Sequence, residues 1–145
     1  MLTFSAMIPI GEKRLLIVDD DVSLGSAMKD ALLSSLRCLV DVSAAPQEAF
    51  EMALTHDYDL LVFDFSMPMI DGAMLYFLLG KVYNHDKPPR VLPPLILVTG
   101  RADEQRAQEL LQQPGVVGLV PKPFQLHRLI GKIAASVPGI QMTSA

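Results

Sequence analysis

Acidic, hydroxyl and ammonium side chains follow four separate apolar stretches of this sequence. Asp19 to Asp21 follow RLLIV, Asp64 follows LLVF, Thr99 follows LILV and Lys122 follows VVGLVP. Carboxylates that are gathered at one place repel one another, and a hard divalent cation such as Mg²⁺ relieves that repulsion. Acids and a cation beside an ammonium and a hydroxyl have the chemistry of a phosphoryl-transfer site. Asp64 is the candidate nucleophile, because carboxylates form aspartyl phosphates.

The elements that must bring these side chains together alternate between strands and helices. Short apolar runs predict the strands, and segments with apolar residues at helical spacing follow them. The predicted strands are Arg14–Val18, Cys38–Val42, Tyr58–Phe63, Leu95–Val98 and Val116–Val120, and the predicted helices are Ser23–Leu36, Pro46–Thr55, Ala73–Val82, Asp103–Gln113 and Leu126–Val137. This alternation predicts an α/β domain with a parallel sheet and helices on both faces. The ligand site of such a sheet lies outside the carboxyl ends of its strands, where the four groups are expected.

Composition places the chain among globular proteins with one domain. It has 145 residues, of which 50% are hydrophobic and 19% charged, and a formal net charge of −4, which argues against a nucleic-acid groove binder. Its N-terminal residues lack a basic leader, and no run approaches the roughly 18 apolar residues of a membrane span. We therefore expect a cytoplasmic protein without membrane contact, in which tails at 1–12 and 138–145 flank a domain at 13–137.

Four motifs follow one another in the sequence: VDDD at 18–21, VFDFSMPMIDG at 62–72, LVTG at 97–100 and PKPF at 121–124. Together they resemble the receiver domain of two-component response regulators. The resemblance covers nearly the whole chain, and the four motifs together are far more specific than any one alone. It implies a flavodoxin-like, doubly wound sheet of five parallel strands in the order 2-1-3-4-5, with five helices.

The resemblance also implies a role for each candidate residue. Asp64 would be the phosphoacceptor for a histidine kinase or a histidine phosphotransfer protein, in a reaction that depends on Mg²⁺. Thr99 would move to bind the phosphoryl group, and Lys122 would hold its oxygens. The Lys122–Pro123 bond would be cis. The chain would then be no enzyme in the usual sense, since it would catalyse only its own phosphoryl transfer and dephosphorylation.

The expected metal ligands come from the same resemblance. Asp20 would bind the cation directly, Asp19 would act through water, and Asp64 and the main-chain carbonyl of Ser66 would complete the protein ligands. We do not expect Asp21 to bind the cation. We expect it to be an exposed acid at the start of the first helix.

Three positions either depart from the family's pattern or affect how long the phosphoryl group lasts. Leu119 stands three residues before the lysine, where the family often has Tyr or Phe, so that the signal is expected to pass mainly through Thr99 and the loop from Gly100 to Asp103. Ser66 and Arg101 occupy positions that tune phosphoryl lifetime in the family.

Two other functions fit parts of the pattern. LLIVDDDVS also resembles the nucleophile motif of haloacid-dehalogenase-type phosphatases, in which Asp19 would be the nucleophile. Such enzymes need acids after their lysine, however, and this sequence has no Asp or Glu after Glu109. A degenerate receiver that only binds partners is a third reading, and the complete set of site residues argues against it.

The charge of the carboxyl-terminal part of the sequence indicates what kind of molecule the chain binds. Residues 110–145 contain no acid, and their only bases besides histidine are Lys122, Arg128 and Lys132. That is too little positive charge for a groove that follows a phosphate backbone. We expect a protein target that docks on the fourth helix, fifth strand and fifth helix, whether the chain is a complete regulator or a fragment of a longer one.

Overall fold

Strands and helices alternate along the chain as the sequence predicts. The structure is a computed structural model, and it describes residues 12–100 and 103–143. The strands are β1 Lys13–Val18, β2 Leu36–Ser43, β3 Leu60–Asp64, β4 Leu95–Thr99, β5 Val116–Pro121 and β6 Gln141–Met142, and the helices are α1 Val22–Ser35, α2 Pro46–Thr55, α3 Gly72–His85, α4 Glu104–Leu110 and α5 Leu126–Ser136. Among these described helices, none is both long enough and apolar enough to cross a membrane.

The described strands form one sheet in the order β5-β4-β3-β1-β2-β6. β1 to β5 are parallel and keep the expected 2-1-3-4-5 order, which confirms the α/β class. The expected count of five strands is wrong, because β6 pairs antiparallel with β2 and joins Met142 to Leu36. β6 lies in the segment that the sequence assigned to a tail, and its two residues are too short to carry a strand pattern. It covers an edge strand whose backbone groups would otherwise lack partners.

The sheet is buried on both faces because its strands are continuous apolar runs. All five residues of β3 and all five of β4 are buried. Alternate residues of β1 point to opposite sides: Leu15 and Ile17 pack in the cluster under α1 and α5, while Leu16 and Val18 pack in the cluster under α2, α3 and α4. These two layers fix the strand ends, and with them every side chain of the predicted site.

The two helices that begin beside the site start at aspartates. Asp21 accepts a hydrogen bond from the Leu24 N–H at 3.0 Å and caps α1, and Asp71 accepts one from the Met74 N–H at 2.7 Å and caps α3. The expectation that Asp21 begins the first helix is therefore confirmed. Gly72, the first residue of α3, leaves no room for a Cβ against the main-chain carbonyl of Asp64. The end of β3 and the start of α3 are thus packed in direct contact.

Two helix ends differ from the sequence prediction by more than one residue. α3 continues to His85 instead of ending at Val82, because Tyr83 is buried and its hydroxyl donates to the Ala53 carbonyl of α2. α4 ends at Leu110, short of the predicted Gln113. The longer α3 depends on a contact with another segment, which local periodicity does not report. The shorter α4 has a local cause, because residues 111–113 form i→i+3 turns directly before Pro114.

Candidate functional site

The predicted residues converge at the carboxyl edge of the sheet. Asp19 directly follows β1 and Asp64 ends β3, and these strands pair in parallel with Val18 opposite Phe63. Asp19 and Asp64 each directly follow one member of this pair, and they therefore lie next to each other at the ends of the two strands. Thr99 ends β4, and Lys122 directly follows β5, its N–H donating to the Thr99 carbonyl at 2.6 Å. The strand ends that the sequence singled out thus form one site.

One ammonium group serves two buried carboxylates. The Lys122 Nζ lies 3.4 Å from Asp19 Oδ2 and 3.4 Å from Asp64 Oδ1. Asp19 is 1% exposed and Asp64 is 4% exposed, so that water screens neither carboxylate well. With both acids ionised, two negative charges face one positive charge, and this trio keeps a net charge of −1.

The excess negative charge changes the proton affinity of the trio. Burial and the nearby charge of Asp19 raise the pKa of Asp64 to about 7, although Lys122 lowers it. Burial alone would lower the pKa of Lys122, but the carboxylates of Asp19 and Asp64 outweigh burial and leave that pKa raised. Lys122 therefore stays an ammonium at neutral pH. Its single positive charge does not fully neutralise the negative charge of ionised Asp64 beside Asp19.

The donor set fits a hard divalent cation. Carboxylate oxygens of Asp19, Asp20 and Asp64 lie within 4.8 Å of one another. Asp19 Oδ1 accepts a hydrogen bond from the Asp21 N–H at 2.9 Å, whereas its buried Oδ2 has no hydrogen-bond partner among the described residues. Asp20 is exposed, which leaves the cluster open to solvent and to a ligand. Oxygen donors of this kind, with room for water, suit Mg²⁺.

Thr99 and the residues around it complete the site. Thr99 is 1% exposed and lies at the end of the strand adjacent to β3. The Lys122–Pro123 bond is cis, as the resemblance implied. Leu119 is half-buried and packs with the cluster under α2, α3 and α4. Arg101 lies outside the described residues.

Sequence reasoning missed three contacts next to the site. The Ser66 hydroxyl donates to Asp103 Oδ2 at 2.6 Å, although the sequence predicts Asp103 only as the residue where a loop ends and the fourth helix begins. Arg106 of α4 lies 3.5 Å from Asp71 Oδ2, and its guanidinium carbon lies 5.2 Å from the Phe65 ring centroid. The partners in these contacts lie far apart along the chain, so no local sequence pattern could have predicted them.

Known proteins resemble this chain in sequence and in structure. A family model described as the response regulator receiver domain matches residues 15–134. A probable transcriptional regulator, ycf29, of Porphyra purpurea is 30% identical over 122 residues, which are 82% of this chain and 54% of that protein. The response regulator protein FleR of Pseudomonas aeruginosa is 29% identical over 126 residues, which are 87% of this chain and 25% of that protein.

The solved structures agree with the sequence relatives. A CheY-like response regulator receiver domain protein from Methanospirillum hungatei has a TM-score of 0.71 and 26% identity, and the match covers 86% of this chain and 92% of that one. The match therefore takes in nearly all of that structure. Against the two curated relatives, in contrast, the chain spans about half of one protein and about a quarter of the other.

Proposed function

The chain belongs to the response regulator receiver domain family of two-component signalling, and on this premise we propose that Asp64 accepts a phosphoryl group from a histidine kinase or a histidine phosphotransfer protein. The observation that carries the proposal is the shared ammonium group, since Lys122 Nζ lies 3.4 Å from both Asp19 and Asp64. An ammonium beside both carboxylates supports the proposal, because transferred phosphoryl oxygens carry negative charge. We also propose a cytoplasmic location, because the one cysteine of the sequence suits a reducing compartment.

The acidic cluster would hold Mg²⁺ during this reaction. Asp19, Asp20 and Asp64 would supply carboxylate oxygens, together with the main-chain carbonyl of Ser66. Support for the ion comes from the net negative charge of the trio and from the buried Oδ2 of Asp19, which lies 3.4 Å from the Lys122 ammonium but forms no hydrogen bond among the described residues. When bound, Mg²⁺ neutralises charge that develops on the transferred phosphoryl oxygens.

The chain's own residues would carry the chemistry of transfer. An ionised oxygen of Asp64 forms the new bond to phosphorus while the bond from phosphorus to the donor's histidine nitrogen breaks, and the proton taken up by that nitrogen comes from solvent. Lys122 pairs with the phosphoryl oxygens through its ammonium, and Thr99 donates its hydroxyl to one of them. The chain turns over no second substrate in this proposal, and water later releases inorganic phosphate.

Chemical trapping tests which carboxylate accepts the phosphoryl group. The chain is incubated with acetyl phosphate and Mg²⁺ and then reduced with borohydride, which converts an aspartyl phosphate to homoserine. Peptide mass spectrometry should find homoserine at position 64. Homoserine at position 19 would instead support a phosphatase-like nucleophile, and no homoserine at all would favour a domain that only binds partners.

We further propose that phosphorylation is read by a protein bound to the output face, which we define as the exposed residues of α4, β5 and α5. β5 is an edge strand of the described sheet, and its Val117 is 43% exposed. Polar residues cover α4, including Gln105, Arg106 and Gln108, which are exposed. Besides Lys122, residues 110–145 contain only two bases other than histidine, Arg128 and Lys132, which is too little positive charge for a nucleic-acid partner.

Beryllofluoride, which mimics a phosphoryl group on a carboxylate, should move amide signals across the output face. We expect ¹H–¹⁵N shifts at residues 103–110 and around Leu119, because Thr99 joins the site to α4 while Leu119 packs in the cluster under α4. Residues of α2 serve as the internal control and should shift little. Changes confined to the strand ends would mean that no signal reaches this face, and specific binding of duplex DNA would argue against a protein target.

A further inference from the structure

A cleft between α3 and α4 is separate from the phosphoryl-transfer site. Its volume is about 770 Å³, within the range of roughly 300–1,000 Å³ that is usual for small-molecule sites. Residues of α3 within 73–84 line it together with residues within 110–116 and the start of β4. The residues of the phosphoryl-transfer site are not among the described residues that line it. The function proposed above therefore does not use this cleft.

The interior of the cleft is apolar and aromatic. Leu95 and Leu97 of β4 line it and are fully buried, so they form its floor. Tyr76 and Tyr83 of α3 also line it, and both of their hydroxyls donate to main-chain carbonyls of the chain itself. An apolar body could therefore fill this space without leaving either hydroxyl unpaired.

Phe77 and Lys81 stand at the mouth of the cleft, one helical turn apart on α3. Phe77 is 57% exposed although it is a large apolar residue, and Lys81 is exposed as well. The Lys81 Nζ lies 5.0 Å from the centroid of the Phe77 ring, and this ammonium forms no ion pair with a described residue. The pair offers a ligand both an aromatic face and a positive charge.

The other base of the cleft already has partners. Arg90 lies 3.0 Å from Asp57 and 3.8 Å from Asp86, and its guanidinium donates to main-chain carbonyls at the end of α2. The described residues that line the cleft include no Asp or Glu. The charge that remains available to a ligand is therefore the positive charge of Lys81.

We propose that the cleft binds a small molecule with a flat aromatic body and one anionic group. The anion pairs with the Lys81 ammonium, and the body lies beside Phe77 and over the leucines of β4. Three aromatic side chains line the cleft, which favours a ring over an aliphatic chain, because paired rings gain energy beyond the burial of their surface. This binding does not depend on phosphorylation of Asp64.

Two dyes that differ by one charge test the proposal. Anilinonaphthalene sulfonate carries an anionic group on an aromatic body, and phenylnaphthylamine has the same body without the anion. Fluorescence titration of the whole chain should show saturable binding of both dyes. Lys81→Ala should weaken binding of the anionic dye about twofold to fivefold, as expected for an exposed ion pair, and leave binding of the neutral dye unchanged. Phe77→Ala should weaken binding of both dyes about threefold to tenfold.

A second exposed lysine supplies the matched control. Lys132 lies on α5, which packs on the opposite face of the sheet, so Lys132→Ala should bind both dyes as the wild type does. Circular dichroism in the near and far ultraviolet checks each variant, because loosened cores also bind such dyes. Amide NMR with the anionic dye should show shifts at residues 76–84, 95–97 and 110–116, and little change in α1.

Four results would each overturn the proposal. They are no saturable binding of the anionic dye, amide shifts confined to other faces, equal weakening of both dyes by Lys81→Ala, and displacement of the anionic dye by octanoate as readily as by naphthalene sulfonate. The third would remove the ion pair, and the fourth would replace an aromatic ligand with an aliphatic one. Phosphorylation of Asp64 is tested separately with acetyl phosphate, so that either proposal can fail without the other.

Discussion

Replacing Asp64 with asparagine should abolish phosphorylation by acetyl phosphate. The amide keeps the size of the side chain but lacks the negative oxygen that attacks phosphorus. Intact-mass measurement with Mg²⁺ present should show one added phosphoryl group on the wild type and none on Asp64→Asn. Asp30→Asn, which removes an exposed carboxylate of α1, is the matched control and should label like the wild type. Equal labelling of wild type and Asp64→Asn would remove Asp64 from the proposal.

The same variant should be more stable than the wild type when divalent cations are removed. The folded chain holds the pKa of Asp64 at about 7, above the ordinary 3.8. Between these values the folded state binds more protons than the unfolded state, so the free energy of unfolding falls as pH rises. Asparagine does not ionise, so the variant avoids that loss. The free energy of unfolding of Asp64→Asn should therefore exceed that of the wild type by about 1–3 kcal/mol at pH 8. Urea unfolding in EDTA at pH 4 and pH 8 measures it, and a gain that is the same at both pH values would contradict the charge argument.

Replacing Asp20 with alanine should weaken magnesium binding severely. Asp20 is the exposed member of the acidic cluster, and its loss leaves only the two carboxylates that already share Lys122. We expect the midpoint of a magnesium titration to rise at least about tenfold, since even changes outside the direct ligands can weaken metal binding that much. The amide signals of residues at the strand ends report the titration. Labelling by acetyl phosphate should slow in parallel, because the acceptor then lacks the cation.

The adjacent acid supplies the control for this measurement. Asp21 follows Asp20 directly, but its carboxylate accepts from the Leu24 N–H and is not in the acidic cluster. Asp21→Asn should keep the helix cap, because asparagine caps helices as well as aspartate does, and should bind magnesium with nearly the wild-type midpoint. A midpoint that is unchanged in Asp20→Ala, or that rises equally in both variants, would show that the ion depends on overall charge and not on Asp20.

The sequence by itself determined the order of elements and the composition of the site. Continuous apolar runs that alternate with helical patterns indicated buried parallel strands, and four of the five runs led into Asp19, Asp64, Thr99 or Lys122. Parallel strands present their carboxyl ends at one edge, so local pattern was sufficient to place these four groups together. The cap formed by Asp21 was also predictable, because its partner lies three residues along the same helix.

Only the tertiary structure decided how distant segments meet. β6 exists because the exposed edge of β2 is available to Met142, and α3 extends because Tyr83 reaches the Ala53 carbonyl. The Asp103 side chain does not cap α4 and instead accepts a hydrogen bond from Ser66, because two loops from neighbouring strands approach each other. Periodicity and propensity describe interactions within a few residues, whereas each of these outcomes is set by a partner far along the chain that folding brings within hydrogen-bonding distance.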